Sequence, residues 1–220
     1  MELVVCETPE EASRATAHLL AEAARNGGDV AFSGGSTPRR AYELSARIEP
    51  EWSRAVLWWA DERCVPADDE RSNFRLAREA LLDRIGGMPQ AVHRILGELD
   101  PHEAARRYDD ELRGVTLDLA LLGLGADGHT ASLFPHHQAL DEERRLAVAV
   151  ERPDVARVTL TPPPLRAARH VVFLATGSEK ADAVRRAFAG PPDRATPASL
   201  IRGRRTTAIL DRPAAADLSR

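Results

Sequence analysis

The segment 117–122 constrains the chain most, because it reads as a strand that is apolar on both faces. A strand buried on both faces belongs at the centre of a parallel sheet covered on each side. Shorter apolar runs recur at 3–6, 30–33, 55–60, 147–150, 158–160, 171–175 and 207–210. Between them lie segments of helical periodicity: from residue 8 or 9 to 25, then 38–48, 72–85, 103–113 and 179–188. Strand and helix patterns in alternation predict an α/β fold with a mostly parallel sheet.

Local signals support these boundaries. The first helix is expected to bury Ala12, Ala15, Leu19 and Ala23 on one stripe, and Asn26-Gly27-Gly28 ends it. Pro38 opens a helix where its missing N–H costs nothing. Ser72 is placed to cap the next one. Pro162-Pro163-Pro164 and Gly190-Pro191-Pro192 read as loop punctuation, and strands resume soon after each. A single domain over 1–220 is therefore expected.

Composition excludes several classes. The chain is 43% apolar and 29% charged, which suits a packed core and not a disordered tail. Its formal net charge is -4, without the basic excess of a nucleic-acid binder. An anionic ligand would need locally gathered cations. No apolar run reaches the roughly 18 residues that span a bilayer, and Met1-Glu2-Leu3 opens no signal-type segment. Cys6 and Cys64 lie far apart and read as two reduced thiols of a cytoplasmic protein. Of 30 basic side chains, 29 are Arg and one is Lys180. Lysine is a compact point charge and is not interchangeable with the arginine fork at a tight site.

Ligands of open α/β sheets bind beyond the carboxyl ends of the strands, and four segments there carry chemistry. Ser33-Gly34-Gly35-Ser36-Thr37-Pro38 offers glycines, hydroxyls and the free N–H groups of a following helix, which suits a phosphate. The same residues also read as a Gly-rich turn with a Ser/Thr cap. Asp61-Glu62-Arg63 follows a buried strand, and Arg63 can bind phosphate bidentately. A solvated ion-pair cluster is the plainer reading of that segment, with Cys64 a bystander. Gly123-Leu124-Gly125-Ala126-Asp127-Gly128-His129 matches GxGxxG, but Pro135 cuts the following helix short, so a dinucleotide site is rejected. The turn instead presents His129 for acid–base work beside the carboxylate of Asp127. Thr176-Gly177-Ser178-Glu179-Lys180 sets the sole lysine at a helix N-terminus, where a cation is unfavourable unless an anion joins it.

Other features read as bland. His136 and His137 give no i, i+4 pair with His129 and no carboxylate set, so no metal is expected. Arg106-Arg107, Arg144-Arg145, Arg185-Arg186 and Arg204-Arg205 read as solvated faces. Trp52, Trp58 and Trp59 read as packing.

Taken in order, the blocks Ser33–Pro38, Asp61–Arg63 with Val65-Pro66 and Ser72-Asn73, Gly123–Pro135 and Gly177–Lys180 resemble the 6-phosphogluconolactonases over nearly the whole chain. Their fold relatives, the glucosamine-6-phosphate deaminases, share the Gly-Gly-x-Thr-Pro loop and an Asp-Gly-His turn. Those enzymes typically continue Ile-Ala-Phe-Asn-Glu-Pro where this chain has Thr130-Ala131-Ser132-Leu133-Phe134-Pro135, and Asp-Glu-Tyr where it has Asp61-Glu62-Arg63. Both differences favour the lactonase.

The resemblance implies a modified Rossmann-like three-layer α/β/α sandwich, no metal or organic cofactor, and a cytoplasmic role in the oxidative pentose phosphate route. It implies a sugar-phosphate lactone as substrate, with neither nucleic acid nor membrane as partner. A monomer or weak homo-oligomer is expected. It sets the catalytic base at His129 and the phosphate cations at Arg63 and Lys180. With the residue reading, Asp127 orients His129, and Gly34, Gly35, Ser36 and Thr37 join the phosphate cradle. Loop N–H groups near Gly35 or Gly128 would stabilise an oxyanion, and Asp61 and Glu62 are weaker candidates for direct chemistry. The alternatives are a glucosamine-6-phosphate deaminase or isomerase, and a non-catalytic sugar-phosphate sensor.

Overall fold

The computed structural model describes residues 1–218. In chain order the strands are β1 (Glu2–Cys6), β2 (Asp29–Phe32), β3 (Val56–Trp59), β4 (Asp61–Arg63), β5 (Ala91–Val92), β6 (Leu119–Gly123), β7 (Ala147–Val150), β8 (Arg157–Leu160), β9 (His170–Ala175) and β10 (Arg205–Asp211). The α-helices are α1 (Pro9–Arg25), α2 (Ser36–Ile48), α3 (Asn73–Ala80), α4 (Pro101–Glu111), α5 (Pro162–Ala167) and α6 (Ala181–Phe188).

Seven strands form the main sheet in the order β1-β10-β9-β6-β2-β3-β5, and every neighbouring pair is parallel. The apolar run of the sequence becomes β6, the fourth of the seven, with Ala120, Leu121 and Leu122 fully buried. Helices cover the sheet in the three-layer α/β/α arrangement. The chain leaves β2 towards β3 and leaves β6 towards β9, in opposite directions across the sheet. The crevice between β2 and β6 is therefore a topological switch point, where such sheets bind ligands. A second sheet, β4-β8-β7, is antiparallel and stands apart from the first.

Several local expectations shift, each for an identifiable reason. On α1 the buried set is Ala12, Ser13, Thr16, Ala17, Leu20, Ala21 and Ala24, so Ala15, Leu19 and Ala23 lie at the edge of the stripe. Thr16 can turn inward because its hydroxyl donates to the Ala12 carbonyl at 2.9 Å. Helix α3 stops at Ala80, and a tighter turn over Leu82–Arg84 lets both Leu81 and Leu82 bury themselves. Helix α4 begins at Pro101, two residues earlier than expected, because the Asp100 carboxylate accepts from the amides of His102 and Glu103. The three prolines at 162–164 open α5, at positions whose N–H groups a helix does not use. The segment 179–188 splits into a single tight turn, Ser178–Lys180, followed by α6.

The sheet's centre should dominate stability. Leu121→Ala is expected to cost about 2–5 kcal/mol, read as a lowered urea midpoint at unchanged m-value. A cost under about 1 kcal/mol would contradict the central, close-packed placement of β6.

Candidate active site

The loop after β2 is fixed first by buried hydrogen bonds. The Ser33 hydroxyl donates to the Leu121 carbonyl at 2.7 Å, tying β2 to β6. The Ser33 amide donates to the Tyr42 oxygen at 3.0 Å, and the Tyr42 hydroxyl donates back to the Ser33 carbonyl at 2.7 Å. Ser33 therefore serves the scaffold. At Gly34 any Cβ would sit 1.7 Å from Asn73 Oδ1, so only glycine lets the Asn73 amide close against the loop. Gly35, with φ 92°, stands at the N-cap position just before α2; no side chain caps the helix, and its first turn holds no acidic residue. The amides at the start of α2 thus meet open space with the positive end of the helix behind them.

From the second sheet, β4 brings Asp61, Glu62 and Arg63. Arg63 Nη1 donates to the Arg71 carbonyl at 2.7 Å and to Asn73 Oδ1 at 2.8 Å, both neutral acceptors. The Asn73 Nδ2 group donates to the Asp61 carbonyl at 2.8 Å and to Asp61 Oδ1 at 3.2 Å. The other Asp61 oxygen accepts from the Ser132 hydroxyl at 2.7 Å. Glu62 is buried and accepts from the amides of Arg63, Asn73 and Phe74 and from the Ser72 hydroxyl. Burial pushes its carboxyl up to about 7 against the downward pull of those four donors. Glu62 thus anchors the start of α3 and does not face the cleft.

After β6 the chain makes the turn that carries His129. Asp127 Oδ1 accepts from the His129 amide at 3.0 Å and pairs with His129 Nδ1 at 2.6 Å. With Nδ1 engaged, Nε2 is the ring nitrogen left to act. Burial alone would raise the Asp127 carboxyl; the His129 amide and ring together hold it below its ordinary value. A Cβ at Gly125 would lie 2.0 Å from His129 Nδ1, so this glycine makes room for the imidazole. The ring's other neighbour is Phe134, with centroids 4.9 Å apart.

After β9, Gly177 turns at φ 98° and its amide donates to the buried carboxylate of Asp211 at 3.1 Å. Lys180 follows, half-buried, immediately before α6. Among the described residues neither Lys180 nor Arg63 has a carboxylate partner, whereas Arg40, Arg75 and Arg186 do.

These four loops line one cleft of about 220 Å³. Its walls include Gly34, Gly35, Ser36, Thr37, Arg63, His129 and Lys180, with Asp127 bonded to His129. A larger cleft of about 450 Å³ lies at the amino ends of the strands, around Gly28, Asp118 and His170. Volume does not choose between them; the position beyond the carboxyl ends of the strands does.

The sequence marked Asn73 and Ser132 only as members of the family blocks and gave no sign that they join the loops. By local pattern alone Asn73 reads as a helix start beside Ser72. Sequence reasoning missed Arg186, expected on a solvated face. Arg186 donates to the carbonyls of Ala126 at 3.3 Å and Asp127 at 3.4 Å. Burial pushes the Cys64 thiol up to about 11, which suits a bystander. His137 Nδ1 accepts from the Ala139 amide, a capping role. No group of three His, Cys, Asp or Glu side chains gathers as a metal site among the described residues.

Residues 7–210 match the family model described as glucosamine-6-phosphate isomerases/6-phosphogluconolactonase. A 6-phosphogluconolactonase of Streptomyces coelicolor is 38% identical, over 96% of this chain and 85% of that one. The solved 6-phosphogluconolactonase from Trypanosoma cruzi superposes with a TM-score of 0.86 at 32% identity, covering 100% of this chain and 97% of the other. A monomeric glucosamine-6-phosphate deaminase superposes with a TM-score of 0.88 at 23% identity, covering 99% and 100%. The fold is thus common to both chemistries. With the family model spanning most of its length, the chain belongs to the family of glucosamine-6-phosphate isomerases and 6-phosphogluconolactonases.

Proposed function

We propose that this protein hydrolyses 6-phospho-D-glucono-1,5-lactone to 6-phosphogluconate, acting as one sugar-phosphate-binding unit. One observation carries the reading. A single cleft holds two cations that have no carboxylate partner among the described residues, a helix N-terminus with no side-chain cap and an imidazole paired with a carboxylate. The names of the Streptomyces coelicolor and Trypanosoma cruzi relatives agree with it.

In this reading the phosphate dianion docks on Arg63, Lys180 and the loop at Gly34, Gly35, Ser36 and Thr37. The lactone carbonyl then lies at His129. Neutral His129 Nε2 takes a proton from water as the water oxygen bonds to C1. The imidazolium that forms is stabilised by Asp127. The C1–ring-oxygen bond breaks, and the imidazolium returns its proton to the departing ring oxygen. The new carboxylic acid releases its own proton to solvent. Acid–base help of this kind contributes roughly 10²–10⁴-fold. Remote phosphate binding holds the carbonyl at attack distance. The Gly128 amide is engaged by the Gly125 carbonyl at 2.9 Å, so it is not an oxyanion donor in this scheme. The reaction is read as cytoplasmic, within the oxidative pentose phosphate route, and as needing no metal or organic cofactor. Monomer or weak homo-oligomer is the proposed assembly.

A lactonase assay on freshly made phosphogluconolactone, with spontaneous hydrolysis subtracted, tests the proposal. His129→Ala is expected to lower kcat by roughly 10²–10⁴-fold with little change in KM. If it keeps most of its kcat, the base is misassigned. Lys180→Met removes binding remote from the reacting carbon, so it should mainly raise KM. Unphosphorylated gluconolactone should be a poor substrate, and glucosamine 6-phosphate should release no ammonia. Ammonia release would favour the deaminase.

A further inference from the structure

We infer that Arg186 is a positioning residue for the Asp127–His129 pair, acting through the backbone of the turn that carries them. The inference deepens the lactonase reading and rests on it. Every carbonyl of the turn from Gly125 to His129 meets a donor within the protein, including those of the exposed residues Ala126 and Asp127, which water would otherwise serve. The Gly125 carbonyl accepts from the Gly128 amide, the Gly128 carbonyl from Ala198, and the His129 carbonyl from Gly125. The two that remain belong to Ala126 and Asp127, and Arg186 is their donor, through Nη2 and Nη1.

The guanidinium is itself held from behind. Its Nε donates to Asp182 one turn earlier on α6, at 2.8 Å, and Nη1 also donates to the Thr196 hydroxyl at 2.5 Å. Gly128 leaves room for this approach: at φ 95° a Cβ there would meet Thr196 Cγ2 at 2.9 Å and Arg186 Nη1 at 3.1 Å. The peptide whose carbonyl Arg186 holds begins at Asp127. With the Ala126 carbonyl as well, Arg186 holds both peptides that flank the Asp127 Cα; with both released that Cα can turn, and Oδ1 then leaves the His129 amide and Nδ1. Lys180 stands at the head of the same helix. One short rigid element therefore carries a cation of the cradle at its tip and a brace for the imidazole on its side. A lysine at 186 could not replace the fork, since one point charge cannot serve two carbonyls and Thr196 while pairing with Asp182.

The test compares wild type with Arg186→Met and Arg186→Lys as full chains. It uses steady-state kinetics on phosphogluconolactone and the proton resonance of His129 Nδ1–H. In Arg186→Met, kcat is expected to fall about 10- to 100-fold, as for a small misplacement of a catalytic group, with KM nearly unchanged. The Nδ1–H resonance should move upfield as its bond to Asp127 lengthens, and ethylguanidinium at sub-denaturing concentration should restore part of kcat. Wild-type kcat would overturn the inference. So would a raised KM at full kcat, which means substrate binding, or a lower kcat with the resonance unmoved. If Arg186→Met does not fold, Arg186→Lys decides: a lowered kcat with the upfield shift supports the inference, and wild-type values overturn it. If wild type itself turns over no lactone, the proposed function fails, and the resonance alone decides the role of Arg186.

Discussion

Three of the four segments that form the cleft are joined through the side-chain amide of Asn73. Four loops from separate strands converge there, and loops alone do not stay in register. Asn73 packs against Gly34, takes Arg63 on its oxygen and gives its nitrogen to Asp61. Asp61 passes the chain on to Ser132, three residues beyond His129. The amide and the carboxylate are both buried, where each hydrogen bond is strong and each missing one costly. The Gly34 loop, the strand with Arg63 and the turn after β6 are thereby joined through one polar network, with Glu62 fixing the start of α3 beneath it, while the Lys180 turn is tied separately through Gly177 and Asp211.

The electrostatics follow from what these cations lack. The chain is rich in arginine, and many arginines on its surface are paired: Arg40 with Glu10, Arg75 with Glu79, Arg71 with Asp69. Arg63 is instead held by a carbonyl and an amide oxygen, which fix its direction without cancelling its charge. Lys180 has no ion pair among the described residues and stands at a helix start, a costly place for a cation. A net charge of -4 will not draw a phosphate from afar. In the proposed reading, two cations without a carboxylate partner among the described residues, beside a helix N-terminus, hold the phosphate.

Much of this was legible in the sequence, and the gaps have physical causes. The strand runs located the loops, and the rarity of lysine singled out Lys180. The spacing of Asp127 and His129 allowed a direct bond but could not assure it; the turn at Gly125 makes it. Asn73 stood in a family block, but its linking role was hidden because a polar residue after Ser72 reads equally well as the first residue of a helix. Arg186 was hidden because an arginine four residues after Asp182 has the spacing of a solvated ion pair, which it also forms. Strand β4 is charged throughout, so no apolar pattern marks it; its pairing with β8 comes from tertiary context. Three prolines in a row look like a break in the chain, yet they fit the first turn of α5.

The division of the cleft into an anion end and an imidazole end is tested most directly by a crystal structure with 6-phosphogluconate bound. The phosphate should lie within hydrogen-bonding distance of Arg63, Lys180 and the amides that open α2, with the C1 carboxylate beside His129 Nε2. A phosphate seated on another face, or a product bound the other way round, would contradict that arrangement.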